Sequence, residues 1–441
     1  MNNSRLSIFA LAAMGATFQA GAADLLETYH AARGQDAVFA AARATQRAGQ
    51  EKLPQGRSLL LPSVNLTANS TYNDNSVQYH GNSTASGNYQ YNNHGYGVTL
   101  VQPLFNQPKW ASYSESKLQV SQTDAQFKST EQELILRVAQ AYFDVLIAQD
   151  SVQLSGAQKT AITEQLEQAR RNFEVGTATI TDTHEAQARH DLVSAQEIAA
   201  QSNLEISKRT LQQLINAVPG ELRPLSQPFR MEELQPSDME KWVEEAQQRS
   251  LQLSIAQAAA ELAGQEVKRN RGGHYPTLDM VANYSENFAN GSSQGLGSDS
   301  RAAAVGVQLN LALYQGGVTQ SRLREAEANL ERAKEELESA RRTVALQTRQ
   351  AYLGVVNGIA QVKALQQALK SSESLLEASK LGQEVGVRTN LDVLNAQQQL
   401  FSTRRDLYQA EYNYLMSRLR LKAAAGTLAE DDLALVNRAL Y

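Results

Sequence analysis

The chain has 441 residues, no cysteine, and 41 Lys and Arg against 46 Asp and Glu, a net charge of −5. Without cysteine there is no disulfide framework, no zinc–thiolate or iron–sulfur centre, no cysteine nucleophile and no lipid-bearing cysteine, and without a basic excess there is no footprint for nucleic acid. The 9 prolines leave residues 109–218 and 277–441 free of a helix breaker, which permits very long helices.

In chain order, Met1 to Arg5 is a short cationic start, Leu6 to Phe18 is apolar, and Ala20-Gly21-Ala22 has the small-x-small form of a signal-peptidase site. Residues 1–22 therefore read as a cleaved secretory signal. Nothing later approaches the roughly 18 consecutive apolar residues of a membrane-spanning helix. An exported chain of this kind is periplasmic, secreted, or held in the outer membrane through β-strands.

A first helix is predicted from about Asp24 to Arg57. Between Pro62 and Pro103 the composition turns to Asn, Ser, Gly and Tyr, and the apolar residues alternate. Val64, Leu66, Ala68 and Tyr72 share one face, and after a polar loop Tyr96, Val98 and Leu100 do the same. These two strands, within about 63–105, have the pattern of barrel strands that face lipid on one side and water on the other; a soluble β-hairpin domain is the other reading. From about Gln107 to Phe173 the helical pattern never breaks, which makes a rod of about 100 Å at 1.5 Å per residue. Leu134, Val138, Ala141, Val145, Ala148 and Val152 alternate spacings of four and three, a coiled-coil seam. Val175-Gly176-Thr177 then supplies a turn, and Thr179-Ile180-Thr181-Asp182 has the capping-box pattern that opens a second helix, to about 217.

After a linker at 218–238 the order begins again. Ala141-Tyr142-Phe143-Asp144-Val145-Leu146 recurs 210 positions on as Ala351-Tyr352-Leu353-Gly354-Val355-Val356, and Glu174-Val175-Gly176 as Glu384-Val385-Gly386. The chain thus reads as two copies of one unit, at 23–217 and 239–425, with a C-terminal segment at 426–441. The second copy has helices at about 239–271, 318–383 and 389–425 and strands within about 277–313. Leu278, Met280, Ala282 and Tyr284 share one strand face, as do Val305, Val307, Leu309 and Leu311. Its seam of Val344, Thr348, Ala351, Val355, Gly358 and Val362 has small and polar members, so this face is not expected to pack as a dry core.

Four strands cannot close a barrel, and open edges are not tolerated in lipid. Two chains would give a barrel filled by side chains, whereas three give twelve strands and leave a lumen. The fold expected is mainly α with a membrane β-barrel: a homotrimer sharing a 12-stranded barrel, continued by a long α-helical coiled-coil cylinder.

With these elements in place, the chain resembles the TolC-like outer-membrane channels of efflux and type I secretion systems. The resemblance covers essentially the whole mature chain. It is carried by Leu61-Pro62, Gln102-Pro103-Leu104-Phe105, Ala141 to Leu146, Phe173-Glu174-Val175-Gly176-Thr177, Tyr314-Gln315-Gly316-Gly317 and Val385 to Leu394, in that order. It implies an equatorial α/β region holding Pro219 to Pro236 and the stretch after Gly426. It also implies a periplasmic adaptor protein, an inner-membrane pump of ABC, RND or MFS type, outer-membrane lipid as surroundings, and no cofactor. The hairpin tips at Gly176 and Gly386 would meet the adaptor.

Channels of this family close at the periplasmic tip, where an arginine of the second hairpin bonds a threonine–aspartate pair of the first. The matching positions are Arg388, Thr181 and Asp182, and Asp392 matches an aspartate that points into the narrowed lumen. Gln383 stands where the pattern has a tyrosine, and Asn395 where it has a second inward aspartate, so a looser closed state and weaker block by multivalent cations are expected. The plainer reading is that Asp182 and Asp392 only cap helices and Arg388 lies on a solvated face.

Other chemistry is thin. His184 and His190 share no helical face well and the remaining histidines are scattered; there is no P-loop or nucleophile elbow, and no enzyme activity is expected. Tyr72, Tyr79, Tyr89, Tyr91, Tyr96 and Tyr284 fit an interfacial girdle, although any exposed hairpin could carry them. The function read is a passive exit duct with an iris-like periplasmic gate. A trimeric surface-anchored fibre or adhesin is the alternative, and the hairpin returns argue against it.

Overall fold

A computed structural model describes residues 23–78, 80, 86–293 and 296–440. The signal-like segment at 1–22, Tyr79 and Tyr441 lie outside the described residues. Helices α1 (Leu25–Gln35), α2 (Ala37–Gln50) and α3 (Lys52–Ser58) precede strands β1 (Ser63–Val77) and β2 (Gly87–Phe105), then helices α4 (Gln107–Glu174) and α5 (Ile180–Ile215). Helices α6 (Met239–Arg249) and α7 (Leu251–Arg271) precede β3 (Thr277–Ala289) and β4 (Ser298–Asn310), followed by α8 (Val318–Glu384), α9 (Asn390–Ala424) and α10 (Glu430–Asn437).

The stretches expected as single helices at 24–57 and 239–271 are broken. Asp36, with ψ 120°, ends α1 and caps α2 by accepting the Phe39 amide at 2.6 Å. Its carboxylate also takes both arms of the Arg137 fork, at 3.0 and 3.2 Å, and these bonds together hold it below the usual carboxylate range despite its burial. Ser250, with ψ 126°, makes the matching break between α6 and α7. At each break a buried polar residue, Asp36 or Ser250, takes the next place in the stripe between Ala32 and Phe39 or between Ala246 and Leu253, so the helical spacing carries on across it.

The strands form one antiparallel sheet in the order β1-β2-β3-β4. The register aligns Leu66, Val98, Tyr284 and Ala303 in one row and Val64, Leu100, Ala282 and Val305 in the next, while Asn65, Thr99 and Asn283 line up on the opposite face. The alternation in the sequence is thus a two-faced sheet, and Val64, Leu66, Val305, Val307 and Leu309 lie exposed on its apolar side. Tyr72, Tyr96 and Tyr284 share that side, whereas Tyr89 and Tyr91 pair with Asn75 and Asn73 on the polar one. Pro103 lies inside β2, within the expected 63–105; it has no N–H to donate, and the register slips between Pro103 and Phe105.

Asn106 caps α4 by accepting the Lys109 amide at 3.1 Å, with Pro108 in the first turn, where a missing N–H costs nothing. At 68 and 67 residues, α4 and α8 each extend about 100 Å. Both α2 and α3 lie along the first half of α4, and α5 folds back along its second half. In the same way α6 and α7 precede α9 along α8. The end of α9 abuts the α6–α7 break at Gly426 (φ 74°), where a Cβ would fall 2.3 Å from the Arg249 carbonyl oxygen, so only glycine fits. No helix among the described residues is long and apolar enough to cross a membrane.

The main core sits at mid-length of α4 and α8. Leu134, Val138, Ala141 and Val145 are buried as the seam predicts, and the linker (Leu222, Leu225, Phe229) and C-terminal stretch (Leu428, Leu433, Val436) pack into the same cluster. The second seam differs from expectation. Thr348 is 0% exposed with its hydroxyl returned to the Val344 carbonyl at 2.8 Å, and Val344, Val355 and Val362 are buried. Gly358 lies against Tyr414, whose Cβ is 3.6 Å from where a Cβ at 358 would be, an ordinary contact distance. The polar member is no obstacle to a buried face, because its hydroxyl is satisfied by its own helix.

Candidate functional site at the hairpin tips

The far ends of the two hairpins are built alike. Gly176 (φ 78°) and Gly386 (φ 80°) adopt the left-handed conformation that ends α4 and α8. The Thr177 amide returns to the Asn172 carbonyl at 2.8 Å and the Val387 amide to the Gly382 carbonyl at 2.8 Å. Thr179 and Thr389 then open α5 and α9 as full capping boxes. Asp182 accepts the Thr179 amide and hydroxyl, both at 2.9 Å, and Asp392 accepts the same pair from Thr389, both at 2.9 Å. Those bonds, with Arg388 adding its charge, hold the Asp392 carboxyl below the usual carboxylate range.

Within one chain, then, both aspartates act as caps. Arg388 lies half across the turn: its stem passes over Gly382, where a Cβ would be 2.6 Å from Arg388 Cγ, and its guanidinium reaches Asp392 at 3.8 Å. Gln383 donates to the Asn390 side chain at 3.4 Å. Thr181 is exposed on the first turn of α5. The chain therefore brings Arg388 together with Asp392, while Asp182 is engaged at its own cap. Around the turns Val175, Ile180, Leu381, Val385 and Val387 are exposed, an apolar rim at each tip.

One residue that the sequence does not single out joins this site. Arg189 of α5 donates to the Asn395 side-chain oxygen at 3.0 Å and to that of Gln398, both on α9 of the other hairpin. The partners lie 206 and 209 positions away, so nothing local marks the arginine. The tips thus carry charged groups and amides that can exchange partners without any covalent step.

The family model for outer membrane efflux proteins matches residues 28–217 and 242–427. The chain belongs to the outer membrane efflux protein family. Membership in the efflux family places it in the bacterial outer membrane. Among the family's members it is 35% identical over 439 residues to the outer membrane protein TolC of Vibrio cholerae, covering 99% of this chain and 98% of that one. It is 33% identical over 418 residues to the alkaline protease secretion protein AprF of Pseudomonas aeruginosa, covering 93% and 86%. The crystal structure of the outer membrane protein VceC from Vibrio cholerae matches with a TM-score of 0.79 over 91% of this chain and 96% of that chain, at 19% identity, a likeness of fold.

Proposed function

We propose that three copies of this chain form one outer-membrane exit duct, which conducts substrates passively from the periplasm to the exterior in an efflux or type I secretion system. The observation that carries the reading is a four-stranded sheet, apolar on one face and open at both edges, from which helices of about 100 Å extend. An edge that cannot remain unpaired in lipid supports closure with neighbouring copies, and three chains supply the twelve strands of a barrel with a lumen. The two matches of the family model support a duplicated unit at 23–217 and 239–425, joined at the equator by 218–238 and 426–441. An energy source lies with partners: an inner-membrane pump of ABC, RND or MFS type and a periplasmic adaptor that meets the apolar rims at Gly176 and Gly386.

The periplasmic gate is assigned to Arg388 with Thr181, Asp182 and Gln383, and the luminal constriction to Asp392 and Asn395. What supports it is the looseness of Arg388, held to Asp392 only at 3.8 Å and so able to turn its fork to the Thr181–Asp182 pair of a neighbouring copy. Exposed pairs of this kind are individually weak, on a scale that a docking partner can overcome. Recording from the purified protein in planar bilayers tests the reading. Stepwise currents are expected, with the closed-state current raised several-fold by Arg388→Ala; a fibre would give no steps, and an unchanged closed state would remove Arg388 from the gate.

A further inference from the structure

Near their tips the two hairpins of one chain meet through an apolar and a polar contact. Leu394 of α9, 1% exposed, packs into the first hairpin, among Ile162, Leu166 and Ala169 of α4 and Ala186 and Val193 of α5. The next residue, Asn395, accepts from Arg189 Nη2 at 3.0 Å, and Gln398, three positions further on the same face of α9, accepts from Nη1. Acceptors at i and i+3 match the width of a guanidinium fork, which is planar and holds two bonds in fixed geometry. The other polar ties in this stretch stay within a hairpin: Lys159 with Glu197 at 2.7 Å joins α4 to α5, and Arg404 with Glu373 at 3.1 Å joins α8 to α9. Arg189 instead crosses from one hairpin to the other, above a groove between α4, α5 and α9 of about 690 Å³ that would let the hairpins shift.

We infer that Arg189 is a positioning residue of the gate, an intrachain clasp that holds the second hairpin, and with it Asp392 and Arg388, against the first. The inference rests on the reading of the tips as a gate. Because α9 begins at Asn390, a clasp at Asn395 and Gln398 lies within its first three turns and sets the direction in which the Asp392 cap points. Its acceptors are neutral amides, so the clasp has no titrating partner on α9 and depends less on salt than the Arg388 pairing does. Asn395, expected only to weaken a luminal carboxylate ring, thereby gains a second role: it receives the arginine.

The test is closed-state current in planar bilayers. Arg189→Ala is expected to raise the fraction of time open roughly tenfold, with the fully open conductance unchanged. Arg189→Lys, which cannot span both acceptors, should fall between the two, and Asn395→Ala with Gln398→Ala should reproduce the loss from the other side of the seam. Asn395→Asp should tighten the clasp into an ion pair and lower the fraction of time open at low salt, and adding Arg189→Ala should abolish that gain, which a luminal carboxylate ring acting without the arginine would not show. Because the chain has no cysteine, Arg189→Cys with Gln398→Cys, bridged by a thiol reagent of arginine length, should hold the channel shut until the bridge is cleaved. Unchanged closed-state current in Arg189→Ala and in the acceptor double variant, with the unaltered protein conducting, overturns the clasp alone. An unaltered protein that never conducts overturns the duct and the clasp with it.

Discussion

At mid-length of α4 and in the second half of α9, Tyr142, Phe143, Tyr412 and Tyr414 are buried together, with Phe39 and Trp242 from the segments that wrap them. Toward the tips the same helices keep only Ile162, Leu166, Ala169, Ala186, Val193 and Leu394 in a separate, smaller cluster. The middle also collects deep hydrogen bonds: the Tyr142 hydroxyl bonds the Ala23 and Arg223 carbonyls and the Arg223 amide, each at 3.1 Å, and Tyr412 donates to Asp150 at 2.9 Å. The tips rely on half-exposed arginines and amides. Large side chains contribute about 1.5–3 kcal/mol each on burial, so the middle is fixed by many such terms and the tips by few. A helix can therefore be an anchor at one point along its length and a moving part 50 Å away.

That contrast is breakable by substitution. The largest effect is expected from Tyr142→Ala, which removes a buried ring and the hydroxyl that ties Ala23 to Arg223; a loss of about 3–5 kcal/mol in chemical denaturation should spread over the whole protein. A loss confined to the tips, read by amide exchange, would contradict a shared central core.

Next is the acid pair of the middle. Burial pushes the Glu411 carboxyl up to about 7, against the pull of the Gln227 amide donated at 3.4 Å and with the charge of Asp150 adding to the rise. Asp150 and Tyr412 are themselves raised by burial, and Tyr408 lies beside them. The folded chain keeps this proton to about 7, whereas an unfolded glutamate loses it near 4.5, so the stability it contributes is complete below 4.5 and is lost as pH rises to about 7. At 1.36 kcal/mol per unit the loss is about 3 kcal/mol. Glu411→Gln should flatten the melting temperature across that window and raise it above pH 7; a variant with the parent's pH profile would assign the dependence elsewhere.

Leu394→Ala is the smallest in global terms and the most local. It removes the one side chain that α9 plants in the tip cluster, at about 2 kcal/mol, the low end for a buried leucine. Amide exchange should speed up in the first turns of α9 while the denaturation midpoint moves little; equal effects at middle and tip would erase the distinction between them.

Much of this architecture is legible in the residues. Proline-free stretches give the long helices, Thr-x-x-Asp gives both capping boxes, and alternation from Val64 to Tyr72 gives a strand face. What escapes is set by side chains acting across the fold. Asp36 breaks a helix because Arg137, 101 positions on, holds its carboxylate. Thr348 passes for a polar interruption because its bond is to its own helix. As gate candidates, Arg388, Asp182 and Asp392 come only from the family resemblance, since a cap and the proposed latch share one sequence pattern. Arg189 has no such pattern; only the packing of Leu394 into the other hairpin brings its acceptors within reach.

The sheet order has a kinetic consequence. With β2 on β3 at its centre, each chain offers β1 at one margin and β4 at the other, and a closed ring of copies joins these unlike edges head to tail. In the proposed assembly a lone chain in lipid would leave both rows of backbone groups unsatisfied, so entry into the bilayer and association of the copies would be one event. Its rate should therefore climb more steeply than linearly with protein concentration, and dilution should strand the chain in the aqueous phase before it ever meets a membrane.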